Sequence, residues 1–284
     1  MNRTVKGLGW IMLSGIVFVT FLVIVRLVGT GLHSAQTAFI RYLISVLLLS
    51  PFVYRRGLVV FYTNRLKRHI LRAVLHSVGV MLWFYAITTM PIAEATALSY
   101  ATPIFVIIGA SLFLGEHLGV ATKLAVVTAF IGVLIMLRPG HELIGSGAIA
   151  LLVAAPLFAA SKLLVKTLVR EDSTLTVVVY LSLVATITML IPALLVWRTP
   201  TIQDLLLLTV AAVLATMSHY CLANGLKLVD VSVAQPAEFL RLVWSALFGL
   251  VLFNEVPDIY IFAGAALVVA SVSIAAHREV TRAS

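Results

Sequence analysis

Ten long apolar runs, joined by short connections, constrain this chain more than any other feature of its sequence. A membrane-spanning helix needs about 20 consecutive, mostly apolar residues. The chain is 62% hydrophobic and 11% charged, whereas a soluble domain carries roughly 25% charged residues. The sequence therefore predicts an all-α polytopic membrane protein with ten transmembrane helices. The predicted spans are 7–29, 36–54, 70–90, 92–114, 119–138, 147–167, 174–197, 205–226, 231–253 and 258–277.

Lysine and arginine predict the orientation of these spans. With the N-terminus inside, 14 of the 20 basic residues fall on inner segments, Arg72 and Lys166 among them, and 2 fall on outer loops, Arg138 and Arg198. Cytoplasmic segments of membrane proteins are enriched in Lys and Arg, so we expect both termini in the cytoplasm. The formal net charge of +9 then reflects topology, and we expect no nucleic-acid partner.

A weak internal repeat relates the two halves of the chain. A shift of 139 positions places Glu116 on Glu255 and Ala95 on Ala234. Five spans separate the two copies, so they would cross the membrane in opposite directions, as the inverted repeats of secondary transporters do. The predicted halves are residues 1–140 and 141–284, with a cavity between them. The two glutamates each precede a helix, and we interpret them as caps of free backbone N–H groups.

Several catalytic and nucleotide-binding motifs are absent from the sequence. The chain has no HExxH zinc motif, no GxSxG nucleophile elbow and no CxxC pair. It also has no GxxxxGK[ST] phosphate loop, which excludes an ATP-driven pump unless the chain borrows an ATPase subunit. Its one cysteine, Cys221, permits no intramolecular disulfide. We therefore expect no cofactor, no metal ion and no catalytic residue.

Ionisable residues inside the spans are functional candidates, because charge in a bilayer is costly. Arg26, Arg41 and Glu94 lie near outer span ends and form a predicted vestibule group. Alternatively, the arginines reach the headgroups and the helix dipole holds Glu94. Lys162 lies near an inner span end, and we interpret it as reaching the headgroups too.

A second group of ionisable residues lies deeper. Arg241 is roughly ten residues from the inner end of its span, about 15 Å at 1.5 Å per residue, and Glu238 shares its helix face. This pair either locks the ninth helix in place, or Arg241 meets an anionic or polar solute group while Glu238 titrates. His76 and His219 either relay protons and bond substrate or serve packing.

The candidate substrate-binding residues concentrate on the third, fourth, eighth and ninth spans, which we expect to surround the cavity with parts of the first and sixth. Pro103 and Pro236 would free backbone carbonyls there and permit kinks. Polar groups also join helices in lipid, and aromatic groups also form the interfacial belt. The candidates are Arg41, His76, Trp83, Tyr85, Glu94, Ser99, Tyr100, His219, Tyr220, Asn224, Gln235, Glu238 and Arg241.

Three segments carry a resemblance to a known family: AFIRYLISVLLL (38–49), YAITTMPIAEATALSYATPIFVIIGASLFLGE (85–116) and QPAEFLRLVWSALFGLVLFNEVPD (235–258). With them the chain resembles the EamA-type branch of the drug/metabolite transporter superfamily over nearly its whole length. The resemblance implies ten helices from a duplicated five-helix unit and transport of small organic metabolites. PAEFLRL (236–242) is similar to a subgroup with uptake carriers for S-adenosylmethionine and riboflavin. Asn254 stands where the family usually has glycine.

The leading hypothesis is a permease of the inner (cytoplasmic) membrane that works by alternating access. Its candidate substrates are S-adenosylmethionine, riboflavin-like and amino-acid-like solutes. The alternatives are an intramembrane enzyme acting on a lipid or metabolite, and a passive pore. Lipid surrounds the protein in each case. Coupling to a proton and assembly as a homodimer both stay open, because titratable groups in the spans allow the first and no sequence signal specifies the second.

Overall fold

The computed structural model is built of α-helices in the residues that it describes. It describes residues 3–29, 31–90, 95, 98–99, 101–114, 120–137, 145–229, 234, 240–254, 259–260, 262–267 and 269–271, and none of these lies in a β-strand. A 3-10 helix, Gly57–Phe61, follows the second α-helix. The α-helices are α1 Arg3–Val28, α2 Ser34–Arg56, α3 Leu66–Thr89, α4 Ala101–Leu114, α5 Val120–Leu137, α6 Ser146–Leu168, α7 Thr174–Leu195, α8 Ile202–Leu228 and α9 Leu240–Phe253.

Within the described residues, six helices are long and apolar enough to cross a membrane. They correspond to six of the predicted spans: Val5–Val28, Ser34–Phe61, Leu66–Thr89, Ser146–Leu168, Thr174–Leu195 and Ile202–Leu228. α5 covers most of the predicted span 119–138, and α4 and α9 cover the later parts of 92–114 and 231–253. The all-helical, membrane-spanning class therefore agrees with the sequence. The total of ten spans and the side of each terminus stay predictions.

The burial pattern of helix α7 is typical of a membrane-spanning helix. Ala185, Met189 and Ala193 recur every fourth residue and are fully buried, whereas Ile187 and Ile191, on the opposite face, are 70% and 69% exposed. In a water-soluble protein the exposed face of such a helix is polar. An apolar exposed face is typical of contact with lipid.

Capping residues define the helix starts on the connections. The Ser173 hydroxyl accepts a hydrogen bond from the backbone N–H of Thr176 at 3.1 Å, which caps α7. Thr201 and Asp204 form a reciprocal capping box at the start of α8. Each cap satisfies N–H groups that have no partner inside the helix. The short loops therefore specify where these spans begin.

Asn254, directly after α9, has a φ angle of 55°. This left-handed backbone region favours glycine, and asparagine tolerates it better than most other side chains. The conformation is therefore compatible with asparagine at a position where the resemblance implies glycine. Glu116, Glu255 and Pro236 lie outside the described residues, so the predictions made for them stay predictions.

Helix packing follows a paired pattern. α1 packs on α8 and α3 on α6; α4 packs on α6 and α1 on α9; α3 packs on α7 and α2 on α8. In each of these three sets, the second contact is obtained from the first when each helix is replaced by the helix five places away in the chain. The α2–α7 contact is unchanged by the same replacement. The first and second halves of the sequence are therefore interleaved through their helix contacts.

Glycines permit the closest of these helix crossings. A Cβ atom added to Gly225 on α8 would meet the Ile11 side chain and, at 3.2 Å, the backbone oxygen of Gly7 on α1. A Cβ atom at Gly147 on α6 would lie 2.6 Å from the Thr89 hydroxyl of α3. Small residues let the backbones of membrane helices approach each other. Such a glycine lies at each of the two related helix contacts, α1–α8 and α3–α6.

Two of the basic residues counted on inner segments are buried. Arg72 is 3% exposed, and its Nη1 donates a hydrogen bond to the Val177 carbonyl at 2.7 Å. Lys166 is 6% exposed, and its Nζ donates to the carbonyls of Leu226 and Val229 at 3.3 and 2.8 Å. Carbonyls at the end of α8 lack helical partners and carry partial negative charge, which explains why the ammonium group turns inward.

Candidate functional site

A cavity of about 220 Å³ lies among the helices. Residues of α1, α2, α3, α4, α6, α8 and α9 line it, together with Ser99. The sequence predicted every one of these helices at the cavity except α2, which contributes Arg41. The lining therefore comes from both halves of the sequence.

Four basic side chains line this cavity: Arg41, Arg72, Lys162 and Arg241. Lys162, which the sequence suggested would reach the headgroups, lines the cavity. Arg41, predicted in an outer vestibule group, lines it together with His76, His219 and Arg241 of the deeper group. The helices cross in such a way that residues predicted at different depths in the bilayer face the same cavity. Among the described lining residues there is no aspartate or glutamate.

The three arginines retain unused hydrogen-bonding capacity. In the described part of the chain, the Nε atoms of Arg41, Arg72 and Arg241 are buried and lack a hydrogen-bond partner. Arg241 donates from Nη2 to the Ser14 hydroxyl at 3.3 Å. A buried donor without a partner costs about 1–3 kcal/mol. Such groups are uncommon in folded proteins and mark places where a ligand or ion can supply the partner.

Aromatic rings hold two of these guanidinium groups. The Arg41 Cζ atom lies 3.6 Å from the centroid of the Tyr42 ring and 5.7 Å from that of Phe21. The Arg241 Cζ atom lies 4.8 Å from the centroid of the Phe18 ring. The negative face of an aromatic ring attracts a cation. These contacts stabilise the positive charge without neutralising it.

An aromatic wall, consisting of Phe18, Phe21, Trp83 and Phe84, forms one side of the cavity. Phe21 and Trp83 stack with centroids 6.2 Å apart and ring planes 16° apart. Phe18 and Phe84 contact Trp83 at 6.2 and 5.3 Å between centroids. Rings packed in this way lose little freedom when a flat molecule settles on them.

Two histidines face each other at the cavity. The rings of His76 on α3 and His219 on α8 are 5.1 Å apart between centroids and nearly perpendicular. Phe158 packs edge-on against His76 at 5.4 Å. The contact therefore joins helices from the two halves of the sequence.

A hydroxyl pair ties α1 to α8 beside the cavity. Ser14 donates from Oγ to the Ser218 carbonyl at 3.0 Å, and Ser218 donates from Oγ to the Ser14 carbonyl at the same distance. Both serines are buried. Hydrogen bonds of this kind stabilise helix pairs in lipid, and this one also positions the hydroxyl that accepts from Arg241.

A loop cluster joins the start of α3 and the segment before it to the segment before α7; it consists of Thr63, Arg65, His69, Glu171 and Asp172. The Thr63 hydroxyl donates to the Asp172 carboxylate at 2.8 Å, and His69 Nε2 lies 2.8 Å from the same oxygen. Arg65 pairs with Glu171 at 2.6 Å. This cluster connects the two halves at one end of the bundle.

The sequence profile of the EamA-like transporter family matches residues 5–138 and again residues 145–276. The chain belongs to the EamA-like transporter family. This membership confirms the family that the sequence resembled. The protein is therefore a multi-pass transporter of the cell membrane and not an enzyme.

Two named transporters are similar to this chain over almost their whole length. The S-adenosylmethionine uptake transporter of Rickettsia bellii is 30% identical over 273 residues, covering 95% of this chain and 94% of the relative. The riboflavin transporter of Rhizobium johnstonii is 32% identical over 284 residues, covering 99% and 94%. A solved crystal structure matches with a TM-score of 0.71 at 17% identity, covering 97% of this chain and 98% of that one; at this identity the match concerns the fold alone.

The EamA-like fold brings together part of the predicted site. The candidates that line the cavity are Arg41, His76, Trp83, Ser99, His219 and Arg241. Pro103, predicted to free a backbone carbonyl near the site, lines it as well. Their participation in substrate binding stays a prediction. Glu94, Tyr100, Gln235 and Glu238 lie outside the described residues, and so does the predicted Glu238–Arg241 pair.

Three predicted site residues do not line this cavity. Tyr85 bonds the Ser146 hydroxyl at 2.8 Å, and the ring of Tyr220 packs edge-on against Trp10. Asn224 accepts a hydrogen bond from the Thr174 hydroxyl at 3.0 Å. Their side chains leave α3 and α8 on other faces than His76 and His219 do.

Sequence reasoning missed Arg72 as a residue of this transporter's cavity. A signal for it is present in the spacing of Arg72, His76, Val80 and Trp83, which recur at intervals of four, four and three and so share one face of α3. All of them line the cavity. Phe18, Phe21 and Phe158 could not be found in this way, because phenylalanine is common on every face of a membrane helix.

Proposed function

We propose that this EamA-like transporter is a secondary carrier that moves a small organic metabolite by alternating access. The cavity carries the proposal, because it combines buried charges, histidines and aromatic rings drawn from both halves of the sequence. Ionisable groups inside a membrane protein are typical of substrate and ion pathways. The chain has no phosphate-binding loop for ATP, which supports a carrier driven by a solute gradient.

The proposed architecture is two inverted five-helix halves, residues 1–140 and 141–284, with both termini in the cytoplasm. The two matches of the family profile and the paired pattern of helix contacts support it. In such carriers the halves move against each other around a central site. Reporter tags on both ends test the topology: we expect both in the cytoplasm, and tags on opposite sides would contradict the proposal.

The loop cluster fits the role of a gate at one end of the bundle. Its contacts join residues 63–69, from the first half, to residues 171–172, from the second. A carrier that alternates must break contacts between its halves at one end before the cavity opens there. In the proposed cycle these bonds hold the cytoplasmic end closed and separate when the carrier opens inward.

The substrate candidates are S-adenosylmethionine, a riboflavin-like solute and an amino-acid-like solute. The names of the two similar carriers supply the first two. A proton is the candidate coupling ion, since His76 and His219 meet at the cavity. Uptake measured with and without an imposed pH gradient tests the coupling: a gradient should stimulate it, and an equal rate without one would contradict it.

Counterflow in proteoliposomes separates the proposed carrier from a pore. Vesicles loaded with one unlabelled candidate should accumulate the labelled candidate transiently above its external concentration. A carrier produces this overshoot because its site faces one side at a time. Equal, non-saturable entry of every candidate would favour the pore and contradict alternating access.

A further inference from the structure

We propose that the cavity recognises an acidic group of its substrate, a carboxylate or a phosphate, through Arg41, Arg72 and Arg241, while a planar part of the same molecule packs on the aromatic wall. This inference rests on the proposed transport function and adds the chemical class of the substrate. It divides the candidates named above, because riboflavin carries no ionised acidic group, whereas S-adenosylmethionine and amino acids carry a carboxylate.

The charge of the lining is the first argument. The three arginines come from three different helices, α2, α3 and α9, and reach one chamber. Guanidinium groups stay protonated throughout the physiological pH range. The described lining residues include no carboxylate. A positive chamber with apolar walls attracts an anion and repels a solute that carries only positive charge.

The orientation of the arginines is the second argument. Arg41 and Arg72 are each 3% exposed, yet in the described part of the chain their Nε atoms, like that of Arg241, have no hydrogen-bond partner. The Nε–H group and its neighbouring amino group form the fork that binds carboxylates and phosphates in a bidentate way. A bound acidic group would therefore satisfy donors that the protein leaves unpaired.

The aromatic wall is the third argument. Phe18 and Phe21, on α1, face Trp83, on α3, across short ring–ring distances. The same two phenylalanine rings lie beside the guanidinium groups of Arg241 and Arg41. The anion-binding groups and the flat apolar surface are thus adjacent. A molecule that uses both carries its acidic group a short distance from an aromatic ring.

Ligand pairs that differ in one acidic group test the proposal on purified wild-type protein. The pairs are flavin mononucleotide and riboflavin, tryptophan and tryptamine, and S-adenosylmethionine and its decarboxylated form. A ligand that binds the folded state raises the melting temperature. We expect at least one acidic member to raise it and its partner to raise it less. Equal shifts within every pair, or no shift with any acidic member, would overturn the proposal.

Arginine variants locate the effect. Arg41→Gln, Arg72→Gln and Arg241→Gln should each weaken binding of the responsive acidic ligand by about 10- to 100-fold, because each removes a charge-assisted hydrogen bond. Arg55→Gln is the matched control, since Arg55 is exposed at the end of α2. Unchanged affinity in all three cavity variants would overturn the assignment. Arg→Lys variants keep the charge and should retain part of the affinity, which guards against a glutamine variant that fails to fold.

The same protein preparation separates the anion site from the transport proposal. Selective binding of acidic ligands without counterflow would contradict the carrier function and leave the anion site standing. Counterflow of a neutral or purely cationic member, with no preference for its acidic partner, would support the carrier and overturn the anion site.

Discussion

The Nε2 atom of His69 lies 2.8 Å from the Asp172 oxygen that also accepts a hydrogen bond from Thr63. A carboxylate only accepts, so His69 and Thr63 both donate to it. His69 is 1% exposed, and its ring stacks on Tyr180 at 4.6 Å between centroids. Two segments more than 100 positions apart in sequence are therefore joined by one carboxylate, whose side chain is 9% exposed.

Asp172→Ala should destabilise the closed loop cluster. It leaves the donors of His69 and Thr63 without their acceptor, at a cost of about 1–3 kcal/mol in the free energy of unfolding. Thermal unfolding of the purified protein measures this, and Asp172→Asn, which keeps an acceptor oxygen, should lose less. A melting temperature equal to that of wild type would show that the cluster does not hold this end together.

The Arg65–Glu171 ion pair predicts a dependence on pH. The hydrogen bond from Arg65, together with its positive charge, lowers the pKa of Glu171 from its ordinary value of 4.5. A carboxyl group whose pKa is lowered by folding stabilises the folded state above its unfolded pKa, and this contribution is lost as the pH falls through the folded value. Both groups are exposed to solvent, so the effect should be small.

Melting temperatures of wild type and Glu171→Gln between pH 3 and pH 7 test this dependence, within roughly the range where carboxyl groups titrate. The difference between the two proteins should be constant above about pH 5 and shrink at lower pH. A difference that grows as the pH falls would contradict a lowered pKa of Glu171 in the folded protein.

Gly225→Ala should weaken the packing of α1 on α8. The added methyl group would meet Ile11 and, at 3.2 Å, the backbone oxygen of Gly7, which cannot rotate away. Overpacking of this kind costs about 1–3 kcal/mol. Gly9→Ala is the matched control, because nothing lies within 4 Å of its added Cβ atom, and alanine favours the helix by up to about 1 kcal/mol. Equal melting temperatures of the two variants would refute the close crossing.

Arg241→Ala should reduce transport at least about 10-fold while leaving membrane insertion intact, because it removes the charge-assisted contact that we propose between Arg241 and the substrate. Uptake in cells or proteoliposomes, normalised to the amount of protein in the membrane, measures the effect. Ser14→Ala, which removes the 3.3 Å hydrogen bond to Arg241 and the 3.0 Å hydrogen bond from Ser14 Oγ to the Ser218 carbonyl but keeps the guanidinium group, should have a smaller effect. Normal transport by Arg241→Ala would remove this residue from the site.

The sequence by itself determined the class of the protein and indicated several residues that line the cavity. The length of the apolar runs indicated membrane helices, and the segments at 38–49, 85–116 and 235–258 indicated the family that the profile match confirms. Arg41, His76 and Arg241 were recognisable because a charged or titratable side chain in a bilayer is costly and therefore rarely accidental.

Only the tertiary structure decided which helix faces meet. Helices in lipid are apolar on the faces that contact lipid and on those that contact other helices, so hydrophobic periodicity does not distinguish the two. This is why Tyr85 and Tyr220 were expected at the cavity and lie away from it. Arg72, counted on an inner segment, and Lys162, interpreted as reaching the headgroups, line the cavity. The crossing of the helices, set by small residues such as Gly147 and Gly225, selects the face that each helix turns to the chamber.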